Sequence, residues 1–225
     1  MNTAAINDFT RFVSKEVSPA TSDLEKLEDK NRVHIQKLIY TNLVDRFDST
    51  IDNLILDNCK EEELIAEAFK KMDQNVTEAG LLKLLLKGEN LQDALETKSK
   101  DGLRLEVLRQ RHSKKLATVF KTEGSIAKGM YESVPRVNPS NGQIVDKFKI
   151  QNKKIPHSLR GNADWLYSRR NTIVHGGGTA AFLENDRVQL KKLYKCEVSQ
   201  TSKISASSIR NAIQFYTQLC EQITN

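Results

Sequence analysis

An all-α helical bundle is the fold this chain predicts, and three observations predict it. Apolar residues recur at i, i+3, i+4 spacing over long stretches, most clearly between residues 24 and 54 and between 209 and 223. The 225 residues hold only 4 prolines and 10 glycines, too few for a fold of many tight turns. With 38% hydrophobic residues the chain can bury one sizeable core, so residues 1–225 are expected to form a single helical domain.

The elements follow in order. Residues 4–17 read as a short amphipathic helix, with Ile6, Phe9, Phe12 and Val13 on one face. Ser18-Pro19 is expected to stop it, because the residue before proline disfavours helical geometry. Ser22 and Glu25 have the capping-box spacing and predict a new start. Leu24, Leu27, Ile35, Leu38, Ile39, Leu43, Phe47, Ile51 and Leu54 then predict one long helix to about residue 57, the spine of the bundle. Residues 60–72 begin acidic and end basic, which suits the helix dipole. A short buried helix is expected over 76–87, ended by Gly88. A further helix is expected over 103–121. Leu105, Leu108, Leu116, Val119 and Phe120 would face inward, and Arg104, Arg109, Arg111, Lys114 and Lys115 outward. Residues 133–162 carry three of the four prolines and read as a long loop or insertion, with a short strand suggested at Val145 to Ile150. Helical spacing returns at 163–175, residues 184–200 are ambiguous between helix and strand, and 206–223 form a strongly amphipathic last helix.

Charge divides the chain. Residues 1–97 hold 12 Lys/Arg against 19 Asp/Glu, and residues 98–225 hold 23 against 10. The second part is therefore the one that would attract a polyanion. Cys59, Cys196 and Cys220 are far apart and form no CxxC, so neither a disulfide framework nor a zinc finger is expected, and a reducing cytoplasm fits. The N-terminal residues have no basic segment followed by an apolar run, and no signal peptide is expected. No apolar stretch approaches the roughly 18 residues needed to cross a bilayer, so no membrane partner is expected.

The stretch RRNTIVHGGG, residues 169–178, concentrates chemistry. Asn162 is a candidate N-cap, and Asp164 suits a first turn. Arg170 falls in the apolar stripe of Ala163, Leu166, Ile173 and Val174, where a guanidinium needs a partner, an interface or a cavity. Asn171 and His175 are four apart and share a face, so Asn171 could orient the imidazole. Arg170 and His175 sit about 140° apart around a regular helix, so meeting at one point takes side-chain length, an irregular end or a second subunit. Gly176 is expected to take the left-handed position that closes the helix, and Gly177 and Gly178 leave room beside His175.

Arg170-Asn171-Thr172-Ile173-Val174-His175 resembles the motif of the HEPN superfamily: an arginine, a polar residue such as asparagine, and a histidine after a few more positions. Placement on a late helix of an all-α chain, with glycine after the histidine, fits that resemblance. HEPN nucleases are metal-independent endoribonucleases that work as homodimers, with the motifs of two subunits in one cleft. The resemblance therefore implies an RNA substrate and no cofactor or metal. It implies that His175 transfers protons at the 2′-OH or the leaving 5′-oxygen. Arg170 would hold the scissile phosphate and Asn171 would assist. It also implies the kind of stand-alone protein found in toxin–antitoxin and phage-defence loci, with an inhibitory antitoxin or another regulatory partner. DNA, lacking the 2′-OH, would not be cut.

The remaining residues are weighed beside this. The basic stretches Lys98 to Lys128 and Lys147 to Arg170 could line a groove for RNA backbone, or simply solvate an outer face. Arg111, Lys114 and Lys115 are the candidates from the first, and Arg169 is either a second phosphate ligand or a surface residue. His112 is expected on the same solvated face, His34 as an ordinary helix residue, and His157 has no assigned role. No HExxH, phosphate loop or nucleophile elbow is present. The alternative function is a non-catalytic module that binds nucleotides, RNA or a protein partner, in which the motif residues are structural.

Overall fold

The computed structural model describes residues 1–70, 80, 82, 83, 86, 90–122, 134–150, 153–177, 181–201 and 203–224. The architecture is an all-α bundle, about 72% helical. Among the described residues the only β pairing is three isolated bridges, and no helix is long and apolar enough to cross a membrane.

The first helix does not stop at Pro19. α1 (Ala4–Phe12) buries Ile6, Phe9 and Phe12, passes through a π turn over Val13–Val17, and continues as α2 (Ser18–Asp23). A proline ring would clash with the carbonyl four residues back, and the widened turn just before Pro19 relieves that clash. The expected capping box does not form, because Ser22 Oγ donates back to Ser18 O at 3.1 Å. The chain becomes extended at Leu27 and Glu28, and the spine, α3, runs Asp29–Asp57. Its 29 residues span about 44 Å. Tyr40, Leu43, Phe47, Ile51 and Leu54 are sealed, whereas Leu38 points outward at 53% exposure, against the expected stripe.

α4 (Glu62–Phe69) packs on α5 (Leu91–Glu106) so closely that a Cβ at Gly102 would lie 2.5 Å from Ala68 O. The helix expected over 76–87 falls almost wholly outside the described residues. The single helix expected over 103–121 is two: α5 ends at Glu106, residues 107–111 turn, and α6 spans His112–Thr122. The turn lets the first turn of α6 meet Asp164, whose Oδ1 accepts the Ser113 backbone N–H at 3.0 Å. A carboxylate from another helix thus caps α6, satisfying an N–H that no neighbour could reach. Leu105, expected inside, is left 53% exposed by the break.

Residues 134–150 and 153–158 are without helix up to the start of the next one, and no strand forms over 145–150. Bridges pair Val137 with Ile144 and Pro135 with Ser158. The turn between them lies on the last helix, α9 (Ala206–Thr224), where Asn211 Nδ2 donates to Pro139 O and Ser140 O, each at 3.0 Å. α7 (Leu159–His175) starts earlier than expected: Ser158, not Asn162, caps it, its Oγ accepting from Gly161 N at 3.1 Å. α8 (Glu184–Tyr194) resolves the ambiguous segment as helix, closed by Lys195 at φ 53°, with extended chain after it.

α3 runs through the bundle with α1, α6, α7 and α9 against it. The centre is aromatic: Phe47 and Tyr216 stack at 4.0 Å between centroids, with Phe9 edge-on to both. Each such side chain, fully buried, stabilises the fold by about 1.5–3 kcal/mol. A smaller cluster of Phe182, Leu190, Cys196 and Val198 joins α8 to the body beneath Trp165. All three cysteines are free and buried.

Candidate active site

α7 carries the motif on the side facing α3 and α8. Arg170 is not left alone in its apolar stripe. Its Nε donates to Asp45 Oδ1 of α3 at 2.5 Å, its Nη1 donates to Asn171 Oδ1 at 3.2 Å, and its carbon lies 5.8 Å from the Tyr167 ring centre. Asn171 Nδ2 donates in turn to Asp186 Oδ2 of α8 at 3.3 Å. A polar chain therefore crosses three helices in the order Asp45, Arg170, Asn171, Asp186. Burial pushes the Asp186 carboxyl above its ordinary range, partly opposed by the bond from Asn171. The Arg170 side chain keeps 19% of its surface open. Among the described residues, its Nη2 donates to nothing.

His175 is the last residue of α7 and is exposed. Among the described residues, no hydrogen bond joins it to Asn171. The expectation that Asn171 orients the imidazole is replaced by a bridge from Asn171 to Arg170 and Asp186. Gly176 caps the helix with φ −87°, its N–H on Thr172 O at 3.0 Å, and is not left-handed as expected. Gly177 is, at φ 63°, and among the described residues nothing lies within 4 Å of a Cβ placed there. Gly178 lies outside the described residues.

The expected basic surface is corrected in two places. Lys115 is not outward: only 4% exposed, it reaches Asp48 Oδ2 at 2.9 Å and Asp52 Oδ1 at 2.7 Å. Arg169 is not on the surface either. It is 5% exposed, donates to Lys203 O at 2.7 Å and Ser208 Oγ at 3.2 Å, and lies 4.6 Å from the Trp165 ring. Both are fixed inside the fold, so neither is placed to meet RNA. Arg111 is half-buried with Nη1 3.9 Å from Asp164 Oδ2, and Lys114 is exposed. Arg104, Arg109, Lys147, Lys149, Lys153 and Lys154 are exposed as well.

His112 also leaves the solvated face. It is 2% exposed, its Nδ1 sits 2.7 Å from Asp48 Oδ1, and its ring stacks on Tyr167 at 5.4 Å. Burial pushes the Asp48 carboxyl up, but His112 and Lys115 together outweigh it and hold it at about 2. Asp52, without the His112 bond, moves the other way, raised by burial. Asp164 is a second hub, accepting Ser113 Oγ at 2.9 Å and Tyr194 Oη at 2.6 Å besides the Ser113 amide.

Sequence reasoning did not find Asp45, Asp186 or the partners of Lys115. One signal was present: Asp45, Asp48 and Asp52 recur at i, i+3, i+7, each just after or near a core position (Val44, Phe47, Ile51), so they form a stripe beside the buried one. Among the described residues, no cluster of three or more His, Cys, Asp or Glu converges as a metal site. Comparisons with family models, with curated proteins and with solved structures give no match.

Proposed function

We propose that this protein is a HEPN-type endoribonuclease that works as a homodimer and needs no metal. One observation carries the reading: a guanidinium anchored through Nε and Nη1, with no bond to Nη2 among the described residues, lies five residues before an exposed imidazole on one helix. The His175 imidazole takes the proton of a ribose 2′-OH, the 2′-oxygen attacks phosphorus, and the bond to the 5′-oxygen breaks. The leaving oxygen takes a proton from an imidazolium, giving a 2′,3′-cyclic phosphate and a 5′-OH. Arg170 supplies charge to the phosphate as it passes through the transition state. A twofold axis would bring a second Arg170 and His175 to the same cleft, and Val174, apolar and 44% exposed beside His175, suits contact with a second copy. Lys114 and the exposed lysines of residues 147–154 supply charge for the RNA backbone. Such an activity needs restraint in a cell, so a toxin or anti-phage effector held by an antitoxin or other regulator is part of the proposal.

A second reading has its own observation. Arg170 and Asn171 already satisfy Asp45 and Asp186, as structural residues would. In a non-catalytic binding module those bonds would be the motif's whole role. RNA cleavage in excess EDTA separates the two. The enzyme reading predicts cutting that persists in EDTA and disappears in His175→Ala. A folded wild-type dimer that never cuts supports the module.

A further inference from the structure

Asp45 stands outside the motif, 125 residues away in the chain, on α3, against which α1, α6, α7 and α9 pack. Its contact with Arg170 has an informative geometry. A carboxylate that fully occupies a guanidinium takes two parallel N–H groups with both oxygens, at the Nη1/Nη2 end or along the Nε/Nη2 edge. Asp45 instead takes Nε with one oxygen, at 2.5 Å. Asn171 takes Nη1, and Tyr167 lies beneath the group. These three contacts fix the plane of the guanidinium and its rotation, and among the described residues no hydrogen bond occupies Nη2. The fixed group sits on the part of the site with remaining solvent access: Arg170 is 19% and Asp45 41% exposed.

We propose that Asp45 is the positioning residue of this site. It holds Arg170 by Nε so that Nη2 is presented, already oriented, to the non-bridging oxygens of an RNA phosphate. The proposal rests on the ribonuclease reading. It adds that the charge-stabilising arginine is preorganised from α3 and does not have to be recruited by substrate. An arginine held this way spends no rotamer freedom on reaching the transition state, and misplacement of such a group by about 1 Å costs up to roughly 100-fold in rate. A carboxylate beside the phosphate site also repels RNA slightly, so its removal should cost turnover and not binding.

The test compares Asp45→Ala and Asp45→Asn with wild type by kcat and KM on one RNA oligonucleotide, with melting temperatures alongside. Asn keeps an oxygen that accepts the Nε hydrogen, and Ala keeps nothing. The expected result is a kcat fall on the order of 10- to 100-fold in Asp45→Ala. KM should be unchanged or lower, and most of kcat should return in Asp45→Asn. Where Asp45→Ala does not fold, Asp45→Ser, too short to reach Nε, replaces it. A kcat per folded molecule that is unchanged in Asp45→Ala overturns the proposal, since a merely structural pair lowers melting alone. A gain in kcat/KM overturns it in the other direction, showing that Asp45 competes with phosphate. A wild type that never cleaves removes the ribonuclease reading itself, a result distinct from a cleaving wild type indifferent to position 45.

Discussion

Replacing Lys115 by methionine should damage the fold and not an RNA surface. The ammonium lies 2.9 Å from Asp48 and 2.7 Å from Asp52, with its side chain 6% exposed and the two carboxylates 18% and 28% exposed. Methionine fills the stem volume but leaves two carboxylates facing each other without the cation. Removing one partner of a buried pair costs about 3–5 kcal/mol. The partial exposure of the acids puts the expected loss near the lower end, about 3 kcal/mol, against a total stability of roughly 5–15 kcal/mol. Urea unfolding at pH 7 measures it. Changing the group as a whole, Lys115→Met with Asp48→Asn and Asp52→Asn, should recover most of the loss, because no buried charge is then left unpaired. A single-variant loss under about 1 kcal/mol, the range of an exposed pair, would refute the buried account of this cluster.

Two further outcomes follow from the same packing. Asp48 is held at about 2 against an ordinary 3.8, so its ionised form is favoured by folding. That contribution, about 2 kcal/mol, is fully present above pH 4 and lost as pH falls towards 2. Asp48→Asn should therefore flatten the acid limb of a stability-against-pH curve, and a limb identical to wild type contradicts the assignment. Gly142→Ala should detach the 138–142 turn from α9: φ is 76°, and a Cβ would lie 2.0 Å from Asn211 O. The expected cost is about 2 kcal/mol or more, read as faster proteolysis within that turn, and unchanged cleavage would count against the docking.

Long-range partners account for most of what the sequence could and could not reveal. The helical period along Leu43 to Leu54 and Ile209 to Ile223 identified two helices that pack into the core, because a 3.6-residue period is local information. The requirement that Arg170 be paired was also local, read from a charge in an apolar stripe, but its partner was not: Asp45 is 125 residues away. Lys115 and Arg169 were misplaced for the same reason. A lysine or arginine in a basic run looks solvated until a tertiary carboxylate or carbonyl claims it. The break between α5 and α6 depends on Asp164 capping Ser113 from 51 residues away, which no propensity in residues 103–121 encodes. Pro19 misled in the opposite sense, since one π turn carries the helix past it.

The chemistry of the cut ends reports whether the ribose 2′-oxygen is the attacking group. An RNA oligonucleotide and its copy with a single 2′-deoxyribose at the cleaved position are incubated with the protein in EDTA, and the product termini are identified by mass. The account predicts a 2′,3′-cyclic phosphate and a 5′-OH from the first, and no cut at that position in the second. Cleavage of the deoxy-substituted copy, or products ending in 5′-phosphate, would contradict it.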